Sequence, residues 1–377
     1  MTSDSVYKNI APYDGQEARN AIMRLSKSGD FFEIFSMLTK RTKEELQNKL
    51  EKVQNKDDFQ EIFFGPVIED IIGHTTRGIN IEGLDNISPD KNYIFISNHR
   101  DIILDSAILN VLLRKNGFKY VQSAIGDNLL ITEWITDLVK LNSCFTIERG
   151  ISGKEMLTSS GLRSKYIRDV MRENKDSIWI AQREGRTKDG HDMTQQSILK
   201  MFKMSGCSDF GKNMKELRIV PLSISYEWEP CDEMKTAEIY MKNVSEYVKT
   251  PEDDIKSMLN GLSSFKGRVN YHMGKPLDNV FDAMDKLASN QERFEATAAL
   301  IDDQIHGNYK LWENNYIAYD IKNSVKKYAN FYTEAQKELF VNTMTKKLDK
   351  INGNRSFLNN IYLTIYANPV IDKNAVL

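Results

Sequence analysis

Between residues 78 and 245, short runs of β-branched and aromatic residues alternate with longer stretches that are apolar at helical spacing. The runs are Ile79–Gly83, Tyr93–Ile96, Tyr120–Ile125, Cys144–Ile147, Ser177–Ala181 and Ile219–Ser225. Between them lie candidate helices, among them Ile102–Leu113, Thr132–Leu141 and Met156–Met171, the last with Met156, Leu157, Leu162, Ile167, Val170 and Met171 as its apolar positions. Strands separated by helices of this length imply a mostly parallel sheet with helices on both faces. Three of the runs stop on polar clusters: Asn98-His99, Glu148-Arg149-Gly150, and Gln182 through Gly190. In such sheets the C-terminal strand ends share one edge, and ligands bind there.

The stretch Tyr93-Ile-Phe-Ile-Ser-Asn-His-Arg-Asp-Ile-Ile-Leu-Asp105 reads as strand, turn and helix, with an Asn-His pair at the turn. A neutral imidazole there can take a proton from a hydroxyl, and a carboxylate on its other nitrogen fixes the tautomer. Taken alone, the same pattern also describes a histidine that caps the helix beside a solvent-facing Asp105. The third cluster holds Arg183, Arg186 and Lys188 with Gly185 and Gly190. Glycines admit close backbone approach to an oxyanion, and guanidinium forks match phosphate. Solvated surface charge is the plain alternative. A nucleotide-binding loop is not, because no Gly-x-x-x-x-Gly-Lys-Ser/Thr occurs there.

Flanking this core, residues 1–75 look helical. Phe59–Ile72 carries a wide apolar stripe interrupted by Gly65-Pro66, which predicts a kink or restart. Two accounts of the N-terminal part stay open. It packs as a helical layer on the next domain, or Phe31, Phe32 and Phe35 enter lipid beside Lys40, Arg41 and Lys43. Ile239–Met241 is a further candidate strand, and Pro221 in the run Ile219–Ser225 suggests an edge, a strand start or a bulge. Pro251–Leu259 reads as a helix and Gly267–Gly274 as a last strand. From Val280 the chain turns helical, through Arg293–Asp302, Tyr309–Val325 and Thr333–Leu348. The expected architecture is α/β: a mixed, mostly parallel sheet in residues 76–280, with helical regions at 1–75 and 281–377.

Composition narrows the class. The 377 residues are 41% hydrophobic and 28% charged with a net charge of −2, which fits a globular chain and gives no global attraction to nucleic acid. Cys144, Cys207 and Cys231 are too far apart for a metal motif or a disulfide framework, which fits a reducing compartment. Met1-Thr-Ser-Asp-Ser5 lacks the start of an export signal, and no apolar window of about 18 residues could span a bilayer.

Together the clusters resemble the glycerolipid acyltransferase family, which includes the glycerol-3-phosphate and 1-acylglycerol-3-phosphate O-acyltransferases. Four ordered blocks carry the resemblance: Asn98-His99…Asp105, Phe145-Thr-Ile-Glu-Arg149, Arg183-Glu-Gly-Arg186 and Ile219-Val-Pro-Leu222. Five residues separate His99 from Asp105, where the family has four, and Asp101 lies closer. The third block aligns either on Glu184-Gly185 or on Gly185-Arg186-Thr187-Lys188; Arg186 is basic in both.

The resemblance implies transfer of a fatty acyl group from acyl-CoA or acyl carrier protein to a glycerol phosphate or lysophospholipid, as in phospholipid biosynthesis. His99 would be the general base and Asp105, or Asp101, its partner. Asn98, Asp101, Arg149, Arg183, Glu184, Gly185 and Arg186 would contact substrate, with Lys188 assisting and backbone N–H groups near Pro221 meeting the oxyanion. No metal, cofactor or covalent enzyme intermediate is implied, and no nucleic-acid partner. The expected place is the cytoplasm, peripheral on the inner face of the membrane. A non-phosphate lysolipid acceptor and thioester hydrolysis are the alternative readings.

Overall fold

The computed structural model describes residues 6–376; Met1–Ser5, read above for an export signal, and Leu377 lie outside the described residues. The centre is a seven-stranded sheet of order β1-β7-β6-β2-β5-β3-β4. Its strands are β1 (Thr76–Glu82), β2 (Ile94–Ser97), β3 (Val121–Gly126), β4 (Cys144–Ile147), β5 (Ser177–Ala181), β6 (Ile219–Tyr226) and β7 (Gly267–Met273). Neighbours pair in parallel except β6 with β7, so β2 through β6 run one way and β1 and β7 the other. The fold is therefore α/β with a mixed, mostly parallel sheet, flanked by helical regions at both ends.

Side chains on a strand alternate between faces, and here each face is covered. Phe95, Trp179, Val220 and Leu222 enter one core with Phe31, Phe35, Phe63 and Val67 of the N-terminal helices and with Leu104 and Ile108. Ile94, Ile96, Ile178, Ile180 and Ile219 enter a second core with Ile167, Phe202, Phe294 and Ile301. A third core joins Trp228 to the C-terminal helices through Phe340, Tyr362 and Tyr366. The changes of element type near residues 75 and 280 are thus not gaps between cores.

Phe31, Phe32 and Phe35 are 0%, 3% and 4% exposed, so these three rings pack inside the protein and do not enter lipid. Ile239–Met241 lies in the helix Asp232–Val244; acidic residues in its first turn and Lys242 in its last suit a helix dipole, and three apolar residues were too short a run to distinguish strand from helix. Pro221 is the third residue of β6, which has neighbours on both sides. Its carbonyl accepts from Gly274 N–H at 2.8 Å, while the β7 ladder begins only at Leu222. Because N–H and C=O of one residue point the same way, the missing donor faces the end of that ladder and costs no bond to β2. At Gly65-Pro66 the chain does restart: a π-helical turn, Phe59–Phe64, gives way to the α-helix Gly65–Thr75. A Cβ on Gly65 would lie 2.8 Å from the Gln60 carbonyl oxygen, so the tight junction needs glycine.

Candidate active site

β2, β5 and β4 are parallel, so the segments that follow them leave the same edge of the sheet. His99 follows β2, the basic loop follows β5, and Arg149 follows β4. β5 is hydrogen-bonded directly to β2, which sets the basic loop beside the histidine. Thr187 N–H donates to the His99 carbonyl at 2.9 Å and fixes that neighbourhood.

His99 Nδ1 lies 2.9 Å from Asp105 Oδ2, and the imidazole is 14% exposed while the carboxylate is fully buried. The extra residue between them, relative to the family pattern, does not separate the pair. The chain from Arg100 to Ile103 folds into a tight turn before the helix Leu104–Lys115, and Asp105 sits in that helix's first turn. Asp105 Oδ2 also accepts from Arg100 N–H at 2.6 Å and Asp101 N–H at 3.0 Å, and Oδ1 accepts from the Tyr226 hydroxyl at 2.8 Å. Burial pushes the Asp105 carboxyl up, but the bond and charge of His99 and the two backbone donors outweigh it, and the group is held below the ordinary carboxylate range. Burial, reinforced by Asp105, raises Tyr226 well above a usual phenol, so it serves as a neutral donor. The Tyr271 hydroxyl donates to the Asp105 carbonyl at 3.0 Å and anchors the same turn. The Trp179 ring stands edge-on to the imidazole, centroids 5.3 Å apart, and its Nε1–H donates to Ser97 Oγ at 2.9 Å.

Asp101 is used differently. Its Oδ1 accepts from Ile103 N–H at 2.9 Å and Leu104 N–H at 2.8 Å, which caps the helix. Asn98 is fully buried and clamps β6: it accepts from Ile224 N–H and donates to the Ile224 carbonyl, each at 2.8 Å. Both residues hold the fold under His99, and neither lines the groove described next. Pro221, buried in mid-sheet, also lies outside that groove.

His99, Arg149, Arg183, Glu184, Gly185, Arg186 and Lys188 all line one groove of about 710 Å³. This is the size of a small-molecule site. The rest of its wall is largely apolar, and part of it comes from regions outside the four blocks: Phe35, Leu38, Phe64 and Ile68 from the N-terminal helices, and Met258 and Leu262 from the helix Pro251–Ser263. Arg186 is buried with no partner for Nη1, and Arg183 Nε is likewise buried and unpaired among the described residues. Unsatisfied buried donors are costly, and a binding site is one place where they are kept. Arg149 forms an ion pair with the exposed Glu184 across the groove, and its own N–H donates to Asp127 Oδ1 at 3.0 Å. Gly185, at φ +70°, has open space where a Cβ would stand, so backbone conformation selects glycine there. Lys188 pairs with Glu238; burial lowers its pKa and the carboxylate opposes the shift.

Tyr226, Tyr271 and Trp179 escaped the sequence reading of the site. Each sits at an ordinary strand position, and nothing local distinguishes a core aromatic from one that supports the His99–Asp105 pair. The contribution of Phe35, Phe64 and Ile68 was equally hidden, because their stripe fits any packed helix.

Residues 78–225 match the family model described as Acyltransferase. No curated protein matches the chain. The crystal structure of the 1-acyl-sn-glycerophosphate (LPA) acyltransferase PlsC from Thermotoga maritima is similar at 13% identity and a TM-score of 0.37, covering 75% of this chain and 91% of that one. A likeness at that level carries nothing about substrate. The four blocks, the single edge on which three of them converge, and the family match agree on one conclusion: the segment 78–225 is an acyltransferase-family domain.

Proposed function

We propose that the protein is a glycerolipid O-acyltransferase, moving a fatty acyl group from acyl-CoA or acyl carrier protein to a hydroxyl of a glycerol phosphate or lysophospholipid. The observation that carries this reading is a single groove that combines the His99–Asp105 pair, several guanidinium groups and a long apolar wall. With Nδ1–H donated to Asp105, Nε2 is the free base. It takes the proton of the acceptor hydroxyl as oxygen attacks the thioester carbonyl carbon. The tetrahedral intermediate expels the thiolate, which takes the proton back from the imidazolium. The C–S bond breaks, the C–O ester bond forms, and no metal or enzyme-bound acyl group is required. Arg186 and Arg183, with unpaired buried N–H groups, and Arg149 supply the phosphate contacts. Holding alcohol and thioester together in the groove supplies much of the rate.

No helix among the described residues is long and apolar enough to cross a membrane. Peripheral contact with the inner face of the membrane remains part of the proposal. The exposed Met37, Met156 and Leu157 support it, because they lie on Gly29–Thr39 and Gly153–Glu173, two of the helices that border the groove.

Mass spectrometry of products from a thioester donor and a panel of acceptors tests the reading. A new ester formed only with phosphorylated acceptors is expected. Free fatty acid irrespective of acceptor would make the protein a thioester hydrolase, and esters formed only with phosphate-free lysolipids would remove the guanidinium assignment. Arg149→Ala should raise KM for the phosphorylated acceptor far more than KM for the thioester.

A further inference from the structure

The loop that carries Arg183, Arg186 and Lys188 is gripped from behind by the C-terminal helices, and the grip centres on one residue. Asp192 is 2% exposed. Its side chain reaches three places at the site. It pairs with the fully buried Arg100, accepts from Asn98 Nδ2 at 3.2 Å, and accepts from Thr187 Oγ1 at 2.6 Å. Asn98 and Arg100 flank His99, and Thr187 follows Arg186. One carboxylate therefore ties the histidine turn to the basic loop.

The main chain of Asp192 is held by residues more than a hundred positions away. Its N–H donates to Asp372 Oδ2 at 3.2 Å, and its carbonyl meets His306 Nε2 at 2.7 Å. Asp372 Oδ1 also lies 2.6 Å from His191 Nδ1. Two residues on, Thr194 gives both its N–H (2.9 Å) and its hydroxyl (2.6 Å) to Asp302 Oδ1. Two residues before, Gly190 at φ +81° packs so closely on the helix Arg355–Val376 that an added Cβ would stand 2.1 Å from the Ile365 carbonyl oxygen. Asn368 Nδ2 donates to the Asp189 carbonyl at 2.9 Å. Under the turn, the ring of Tyr309 faces the Arg100 guanidinium at 5.4 Å. Burial alone would pull Arg100 down, but Asp192 and Glu229 outweigh it and keep the group charged.

From these contacts we infer that the C-terminal helices are a buttress for the acceptor-binding loop, with Asp192 as its hub and Asp372 as the positioning residue that holds the hub's main chain. Residues 281–377 thereby gain a role in the reaction without touching substrate. Arg183 and Arg186 keep unpaired guanidinium donors, so their own side-chain bonds do not fully fix the distances to His99; the Thr187 bond to the His99 carbonyl and the C-terminal contacts share that work. Breaking one partner of a buried polar cluster leaves the others uncompensated, so loss of Asp372 should be felt at Asp192 and then at both sides of the site.

The consequence for acyl transfer rests on the function proposed above; the mechanical claim does not. Two variants of the full chain, Asp372→Ala and Asp372→Asn, are compared by hydrogen exchange and by steady-state kinetics. In the alanine variant the amides of residues 187–194 should exchange at least about tenfold faster, while those of β2 keep their protection. KM for the phosphorylated acceptor should rise by about tenfold with donor KM unchanged. The asparagine variant, which retains one acceptor oxygen, should fall between alanine and wild type, and it serves alone if alanine does not fold. Unchanged exchange in residues 187–194 overturns the buttress. So does faster exchange with acceptor KM unmoved, which would mean a purely structural contact. A wild type that acylates no phosphorylated acceptor would refute the proposed function instead, and the exchange result would then decide the buttress by itself.

Discussion

Asp105→Asn isolates the electrostatic part of the proposed mechanism. As His99 takes a proton, the imidazolium faces a fully buried carboxylate whose oxygen is 2.9 Å from Nδ1. Unit charges about 4 Å apart at an effective dielectric of about 20 attract by about 4 kcal/mol. Tenfold in rate corresponds to about 1.4 kcal/mol, so complete loss of that attraction would cost about a thousandfold. Asparagine keeps a dipole, which makes a fall in kcat of about 10²–10³ the expected result. The fold should tolerate the change. The amide oxygen can accept from Arg100 and Asp101 N–H, and the amide nitrogen can donate to the Tyr226 oxygen. Thiol release from a thioester in the presence of acceptor gives kcat and KM, and thermal unfolding gives the midpoint. A fall in kcat of less than about tenfold, with folding intact, would refute the electrostatic argument.

Three further substitutions test other parts of the account. Tyr226→Phe removes the only side-chain donor to Asp105 Oδ1 among the described residues and should destabilise the protein by about 1.5–3 kcal/mol in urea unfolding, more than the loss of an exposed hydroxyl. Phe31→Ala should cost about 3–5 kcal/mol, since the ring is fully buried and stacked on Phe63 at 5.4 Å; a near-neutral result would revive a lipid-facing role for this helix. Asp302→Asn tests pH dependence. Burial raises the Asp302 carboxyl to about 6, so its contribution is fully present below the unfolded value near 4 and is lost as pH rises through 6. Stability of the wild type relative to the asparagine variant should therefore fall by about 2–3 kcal/mol between pH 4 and pH 7; a flat difference would contradict the burial argument.

What the sequence revealed followed local physics. β4 and β5 have the bounds read from their apolar runs, because a buried parallel strand is a short continuous run and little else competes with that reading. His99, Arg149 and the basic loop were legible as strand-end clusters, since parallel topology sends such ends to one edge. The roles of Asn98 and Asp101 were not, because an asparagine that clamps a neighbouring strand and an aspartate that caps a helix look like ligands when only spacing is visible. Asp192 and Asp372 were invisible for a different reason. Their partners are 94 and 180 residues distant, and no periodicity marks a pairing across that span. The apolar wall of the groove was half legible: the stripe Phe59–Ile72 was clear, but which part packs and which part faces the groove depends on tertiary placement.

If His99 moves the acceptor's proton within this groove, removing its imidazole must stop ester formation. The most direct measurement is product mass spectrometry with a thioester donor and a phosphorylated acceptor, wild type against His99→Ala, both verified as folded. The account predicts ester from the wild type and a rate lower by about 10³ or more in the variant. Ester formed by both proteins at similar rates would contradict it.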